Sequence, residues 1–349
     1  MIWLYSGFVA LVLTFLALDL GVLNRKAHAV SMRGALAMTG VCVVLALATM
    51  VFVYWAYDSH LFGLGVALDP AKTSGMDPND ERVTGLTGKA AAAKFLTGWI
   101  LEYSLSVDNI FVISLIFAYF KIPTAYQHRV LFWGIMGALV MRGVMIAAGT
   151  ELVKQYAWLE VVMGGFLVWT AWKMYRAEDG GFDAESSRVL RWAREHLPLT
   201  PNYHGQRFFA VEHGSRVVTP LVPALLVVET TDVVFAVDSI PAILGVTQER
   251  FIVFTSNMMA ILGLRSLYFV LAGLLDRFRY LKFSLIVILS YIGVKMLVSY
   301  FKHEWKPNEY VSLAIVGGML LTGVVASLAI KPKAVTDSGN ATGDEGEGH

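Results

Sequence analysis

Nine stretches of the chain are apolar for about 18 residues or more, enough to cross roughly 30 Å of hydrocarbon as a helix. They fall near 2–22, 35–56, 91–118, 130–149, 153–174, 217–243, 251–273, 281–301 and 310–330. This pattern predicts an all-α polytopic membrane protein with about nine transmembrane helices. The first stretch has no cationic start and no small-residue cleavage site after it, so it reads as a retained helix. Residues 57–90 are rich in Gly, Pro, Asp and Thr and read as an extracytoplasmic loop. Residues 175–216 form a second polar segment, with a short amphipathic helix near 184–197 and Asp183 as its N-cap. The Gly- and acid-rich tail, 334–349, lacks apolar residues to bury and is expected to be disordered.

Loop charges orient the spans. Arg25, Lys26 and Arg33 follow the first span, and Lys121 and Arg129 the third. The fifth is followed by Arg176, Arg188, Arg191, Arg194, Arg207 and Arg216, the seventh by Arg277, Arg279 and Lys282, and the ninth by Lys331 and Lys333. These are alternate loops, so the positive-inside rule predicts the N-terminus out and the C-terminus in, across the cell's inner (plasma) membrane. Composition agrees with a lipid-solvated surface. The chain is 56% hydrophobic and 16% charged, where soluble domains carry about 45–50% and about 25%. A net charge of +1 gives no basic field for nucleic acid. One cysteine, Cys42, excludes an intramolecular disulfide framework and a thiolate metal cage.

Two parts of the chain carry similar text: SVDNIFVISLI around Asp108 and AVDSIPAILGV around Asp238. Six residues before each aspartate stands another acid, Glu102 and Asp232. Each span is followed by one with an arginine inside it, Arg142 and Arg265, and then by one ending in Lys-Met, at Lys173 and Lys295. Spans 3–5 therefore resemble spans 6–8. A repeat with an odd number of spans enters the membrane from the opposite side the second time, which predicts two inverted three-helix repeats with a site near the midplane. The chain then divides into two leading helices (1–56), the loop 57–90, a first repeat (91–174), the polar segment 175–216, a second repeat (217–301), a last helix (302–333) and the tail (334–349).

Five acids fall within spans: Glu102, Asp108, Glu229, Asp232 and Asp238. Each costs about 2.5–3.5 kcal/mol at a helix centre unless it faces a partner or water. Pairing with Arg142 and Arg265 would only pin the bundle, and two arginines cannot neutralise five carboxylates. Some acids must then be protonated, hydrated or bound to a cation. Six residues leave Glu102 and Asp108 about 120° apart on an ideal helix. Glu229 and Asp232 share a face, whereas Asp238 points elsewhere. A single site using all five requires a break in both helices, and Pro241 is the residue expected to make one. Asn109, Ser239, Thr230 and Thr231 add neutral oxygens, and no histidine lies deep in a span. An oxygen-only set suits a hard divalent cation such as Mg²⁺, Ca²⁺ or Mn²⁺, and repels anions. The same carboxylates can carry protons in exchange. Asp19 reads as an interfacial ion pair or a vestibule ligand, Arg142 and Arg265 as charge-balancing groups, and Asn257 as interhelical glue.

An intramembrane aspartyl protease would also use two aspartates, but its Gly-Leu-Gly-Asp context is missing: Gly63-Leu64-Gly65 is followed by Val66. Metalloprotease and serine hydrolase motifs are absent as well. The chain is expected to be no enzyme and to need no cofactor.

LEYSLSVDNIFV at 101–112, VVETTDVVFAVDSIPAILGVT at 227–247, SNMMAILGLRSLYF at 256–269 and ALDLGVLNRKAH at 17–28 resemble the blocks of the TerC family of integral membrane proteins, named for tellurite resistance. That resemblance, from about residue 8 to 330, implies a relative of LysE-type exporters acting in manganese efflux and metal homeostasis. Manganese as the cargo, and export as its direction, rest on the resemblance alone. It would place metal ligands at Glu102, Asp108, Glu229, Asp232 and Asp238, with Asn109 as a neutral donor. An acid-lined site should not carry tellurite, so such a phenotype would be indirect. The rival role is a membrane scaffold that hands manganese to exported or membrane proteins.

Overall fold

The computed structural model describes residues 2–18, 32–67, 85–156, 158–176, 188–271, 281–302 and 308–329. Asp19, Arg25, Arg277, residues 68–84 of the 57–90 loop, the N-cap expected at Asp183 and the 334–349 tail lie outside the described residues. In chain order the helices are α1 (Ile2–Leu18), α2 (Met32–Asp58), α3 (Gly88–Tyr119), α4 (Thr124–Gln155), α5 (Trp158–Arg176) and α6 (Arg188–His196), then α7 (Leu221–Leu244), α8 (Arg250–Leu271), α9 (Leu281–Phe301) and α10 (Glu309–Ala329). A hairpin, β1 (Phe209–Glu212) and β2 (Ser215–Val218), precedes α7.

Every long helix falls on one of the apolar stretches. Six of them, α2, α3, α4, α8, α9 and α10, are long and apolar enough to cross a membrane. The other three depart from that standard for visible reasons. Helix α1 has 17 residues. Helix α5 carries Glu160, Lys173 and Arg176, and α7 carries three of the acids. Hydroxyls inside the helices bond to their own backbone, as Thr97 does to Ala93 O at 2.8 Å and Ser106 to Glu102 O at 2.7 Å. That satisfies polar atoms without an external partner, as a hydrocarbon setting demands.

Helix α8 is the centre of the bundle, buried along nearly its whole length among α1, α2, α3 and α4. The outer helices expose apolar side chains instead: Val44 is 66%, Val144 63% and Leu321 64% exposed. Between the two candidate repeats the packing is reciprocal. First members touch (α3 with α7), second members touch (α4 with α8), and third members touch most extensively (α5 with α9). The crossed pairs also occur both ways, α3 with α8 and α4 with α7. The α5–α9 contact depends on Gly164 and Gly293, because a Cβ on Gly293 would stand 2.8 Å from the Gly164 carbonyl oxygen.

The breaks expected in the acid-bearing helices do not occur. Helix α3 runs unbroken from Gly88 to Tyr119, and α7 runs through Pro241 to Leu244. Pro241 lies in the last turn, where the helix is already ending, and its own carbonyl accepts from the Gly245 amide at 2.9 Å. Its missing N–H costs one bond, to the carbonyl four residues earlier, and the helix continues through that single loss.

Two of the basic segments, that after α3 and that between α5 and α7, meet at one end. The Tyr203 hydroxyl donates to Phe120 O at 2.6 Å, Gln206 donates to Ala125 O at 3.3 Å, and Arg194 donates to the Tyr119 hydroxyl at 2.7 Å. Helix α6 falls within the expected 184–197 window. The hairpin was not anticipated. Its turn residues, His213 and Gly214, both have positive φ (49° and 81°), as a two-residue type I′ turn requires.

Candidate functional site

Helices α3, α4 and α7 bring the central charges together. Arg142 of α4 is 1% exposed, as is Glu102 of α3. The guanidinium donates from Nη1 to Glu102 Oε1. From Nε and Nη2 it reaches both oxygens of Asp232, at 3.1 and 2.9 Å. A longer contact, 3.4 Å, joins Nη1 to the Ser239 hydroxyl. A buried guanidinium is tolerated only with such partners, and its planar fork suits a carboxylate.

Glu229 lies one turn before Asp232 on the same face of α7. Its carboxylate rests against the backbone of Gly137 on α4, where any side chain would collide with it. Gly134, one turn earlier, faces Val228. Bare backbone at these two positions lets α7 bring its acids against α4.

Asp238 belongs to a different contact. It accepts from the Thr170 hydroxyl of α5 at 3.2 Å. The two line a cleft of about 340 Å³ with Phe166, Trp169, Lys173 and Val234. The Lys173 ammonium stands over the Trp169 ring, 5.4 Å from its centroid. Thus one face of α7 addresses α4 through Glu229 and Asp232, while another addresses α5 through Asp238. An unbroken helix keeps the two apart, as the spacing implied.

Asn109 and Arg265 are both buried, on α3 and α8. Asp108 lies within α3, and its side chain is outside the described residues, as is all of Asp19. Among the described residues no three His, Cys, Asp or Glu side chains stand where one metal ion would join them. Arg142 occupies the position between Glu102 and Asp232 that a bridging cation would take.

The profile of the integral membrane protein TerC family matches residues 87–335, most of the chain and all of these elements. The chain belongs to the TerC family. It is 42% identical over 338 residues to the uncharacterized membrane protein STKORF319 of Myxococcus xanthus, covering 97% of this chain and 96% of that one. It is 41% identical over 319 residues to an Escherichia coli K12 protein provisionally named membrane-bound redox modulator Alx, covering 91% and 92%. An uncharacterized membrane protein of Rickettsia bellii is 35% identical over 324 residues, covering 93% and 96%. No solved structure matches the chain.

In this TerC protein three contributors escaped the reading of the sequence. Thr170 had a signal, since it lies one turn before Lys173 on the same face of α5. Gly134 and Gly137 also had one, because small residues three apart mark a face that accepts close approach. Which helix approaches that face is a tertiary fact and was not written locally.

Proposed function

We propose that this TerC protein is a secondary transporter that exports hard divalent cations, Mn²⁺ foremost, in exchange for protons. The observation that carries the reading is the buried cluster in which Arg142 holds Glu102 of one candidate repeat and Asp232 of the other. Glu229, one turn before Asp232 on the same face of α7, adds a third carboxylate beside that pair. Excess negative charge inside a helical bundle favours a cation and repels an anion. Arg142 balances the acids when the cargo is away, and the cargo displaces it. Arg265 and Asp19 are assigned charge-balancing or gating roles. Asp238 extends the oxygen set towards α5, and Asp108 and Asn109 are assigned as further ligands from α3. Manganese itself comes from family resemblance, since oxygen donors alone suit several hard cations.

Two inverted three-helix repeats, α3–α5 and α7–α9, are part of the proposal, within a bundle of about nine spans. The reciprocal packing supports it, because a two-fold relation makes each contact between unlike members occur twice. The basic end formed by the 119–125 turn and the 188–219 segment supports a cytoplasmic placement of that end, hence N-terminus out and C-terminus in across the inner membrane. The redox role in the name of Alx finds one cysteine here, Cys42, which is buried. A lone thiol forms no intramolecular disulfide, so thiol–disulfide chemistry is not adopted.

The test is Mn²⁺ movement into proteoliposomes holding only this protein, with and without a pH gradient and with Mg²⁺ and Ca²⁺ as competitors. Saturable flux that responds to the gradient, and is lost in Asp232→Asn and Asp238→Asn, is the expected result. Flux retained in both variants overturns the site. Mn²⁺ binding in detergent without flux would favour the scaffold that passes manganese to exported proteins.

A further inference from the structure

Asn257 lies on α8, the central helix, and is completely buried. Neither its side-chain nitrogen nor its side-chain oxygen has a hydrogen-bond partner, and Glu102 Oε2 is unpartnered too. Buried polar atoms nearly always find partners, so two such groups on packed helices point to a ligand.

Their positions follow from the packing of α3 on α8. A Cβ on Gly98 would lie 3.0 Å from Ser256 Oγ, and one on Gly263 would lie 3.0 Å from the Tyr103 ring. Both helices thus advance in the same direction along this contact. Glu102 is one turn beyond Gly98, and Asn257 follows Ser256, which puts their backbones within about one helical turn along the axis. On the other flank, Phe254 faces Gly143 on α4, beside Arg142. Asn257, three residues after Phe254, lies on the neighbouring part of that surface. These contacts place Asn257 on the part of α8 between its α3 and α4 contacts, within about one turn of Glu102.

We propose that the Asn257 carbonyl oxygen and the second oxygen of Glu102 form a capture site for a hard divalent cation, next to the guanidinium. The cation enters here while Arg142 still holds Asp232 and Glu102 Oε1, so the acids are never left without a positive partner. A neutral amide oxygen beside one carboxylate oxygen is a hard-cation donor pair. This inference rests on the reading of the chain as a carrier of divalent cations, and it adds α8 to the elements that supply donors.

The full-length protein tests it by a ligand swap. In a Cys42→Ala background, Asn257→Cys places a thiolate at the site, and Cd²⁺ should then produce a thiolate-to-cadmium charge-transfer band in the ultraviolet. Added Glu102→Gln should weaken that band at limiting Cd²⁺, and the Cys42→Ala parent should lack it. In flux, Asn257→Leu should raise the Mn²⁺ half-saturation about tenfold to a hundredfold, with Asn257→Asp recovering most of the loss. A folded Asn257→Cys protein without the band, or an unchanged half-saturation in Asn257→Leu, overturns the site and assigns Asn257 to packing or water. If the parent moves no Mn²⁺ at all, the transport reading falls, and the cadmium band still decides the donor pair.

Discussion

Arg142 and Asp232, 90 residues apart in the chain, meet through two hydrogen bonds of 3.1 and 2.9 Å that match the guanidinium fork to both carboxylate oxygens. The same guanidinium holds Glu102, so removing it strands two acids inside the bundle. Arg142→Gln should destabilise the protein by about 3–5 kcal/mol. Adding Asp232→Asn to that variant should restore part of the loss, because one stranded charge disappears. Arg142→Lys keeps the charge without the fork and should fall between. Thermal unfolding in detergent, arranged as a double-mutant cycle, measures this. Strictly additive losses would mean that the pair is not coupled.

Gly137 tests the placement of Glu229. Its backbone touches the carboxylate, so the methyl of Gly137→Ala would force Glu229 to move. Gly134→Ala is milder, since its Cβ would meet Val228 Cγ1 at 3.3 Å and Leu225 Cδ1 at 4.0 Å. Proteoliposome assays should show a Mn²⁺ half-saturation raised about tenfold or more in Gly137→Ala, a loss of the size seen when groups around a metal site shift. Gly134→Ala should stay near the parent. Equal behaviour of the two would argue that Glu229 takes no part.

Much of this arrangement was legible in the amino-acid order. Apolar run length located the long helices among the described residues, six of which are long and apolar enough to cross a membrane. The spacing of Glu229, Asp232 and Asp238 already separated Asp238 from its neighbours, and the structure turns it towards Thr170. Partner choice was not legible. Nothing local says that Arg142 takes Glu102 and Asp232, since that depends on how α4 packs against α7 and α8 while α3 packs against the same two helices. Pro241 misled because a proline removes only one helical bond, and whether the packed helix holds through that loss had to be seen.

Gly164 and Gly293 govern the α5–α9 contact. Each Cβ would press on the carbonyl oxygen of the other, at 3.0 and 2.8 Å. Backbone cannot yield as a flexible side chain does, so Gly293→Ala should destabilise by about 1–3 kcal/mol. Gly165, beside Gly164, has open space at its Cβ position. Gly165→Ala should be neutral, or stabilise by up to about 1 kcal/mol through helix propensity. Thermal unfolding of the two variants side by side separates packing from propensity, and a loss in Gly165→Ala would contradict the assignment.

Glu212 links the hairpin to the segment before it and makes that link sensitive to acid. Its carboxylate meets His204 Nε2 at 2.6 Å and accepts from Thr200 and Asn202 at 3.0 and 3.3 Å. These hydrogen bonds, led by the one with His204, hold the Glu212 pKa below its ordinary 4.5. A depressed folded-state value means that the native form favours the deprotonated acid. The contribution is therefore complete above the ordinary carboxylate range and is lost as pH falls through the lowered value. Between pH 7 and 5 the hairpin amides of 209–218 should exchange hydrogen at a constant rate, after correction for intrinsic exchange. Below about pH 4 they should exchange faster, as protonated Glu212 releases His204. Glu212→Gln should exchange fast throughout and lose the acid response. A parent protein with flat protection down to pH 3 would show that the hairpin is held by its turn and by β2 alone.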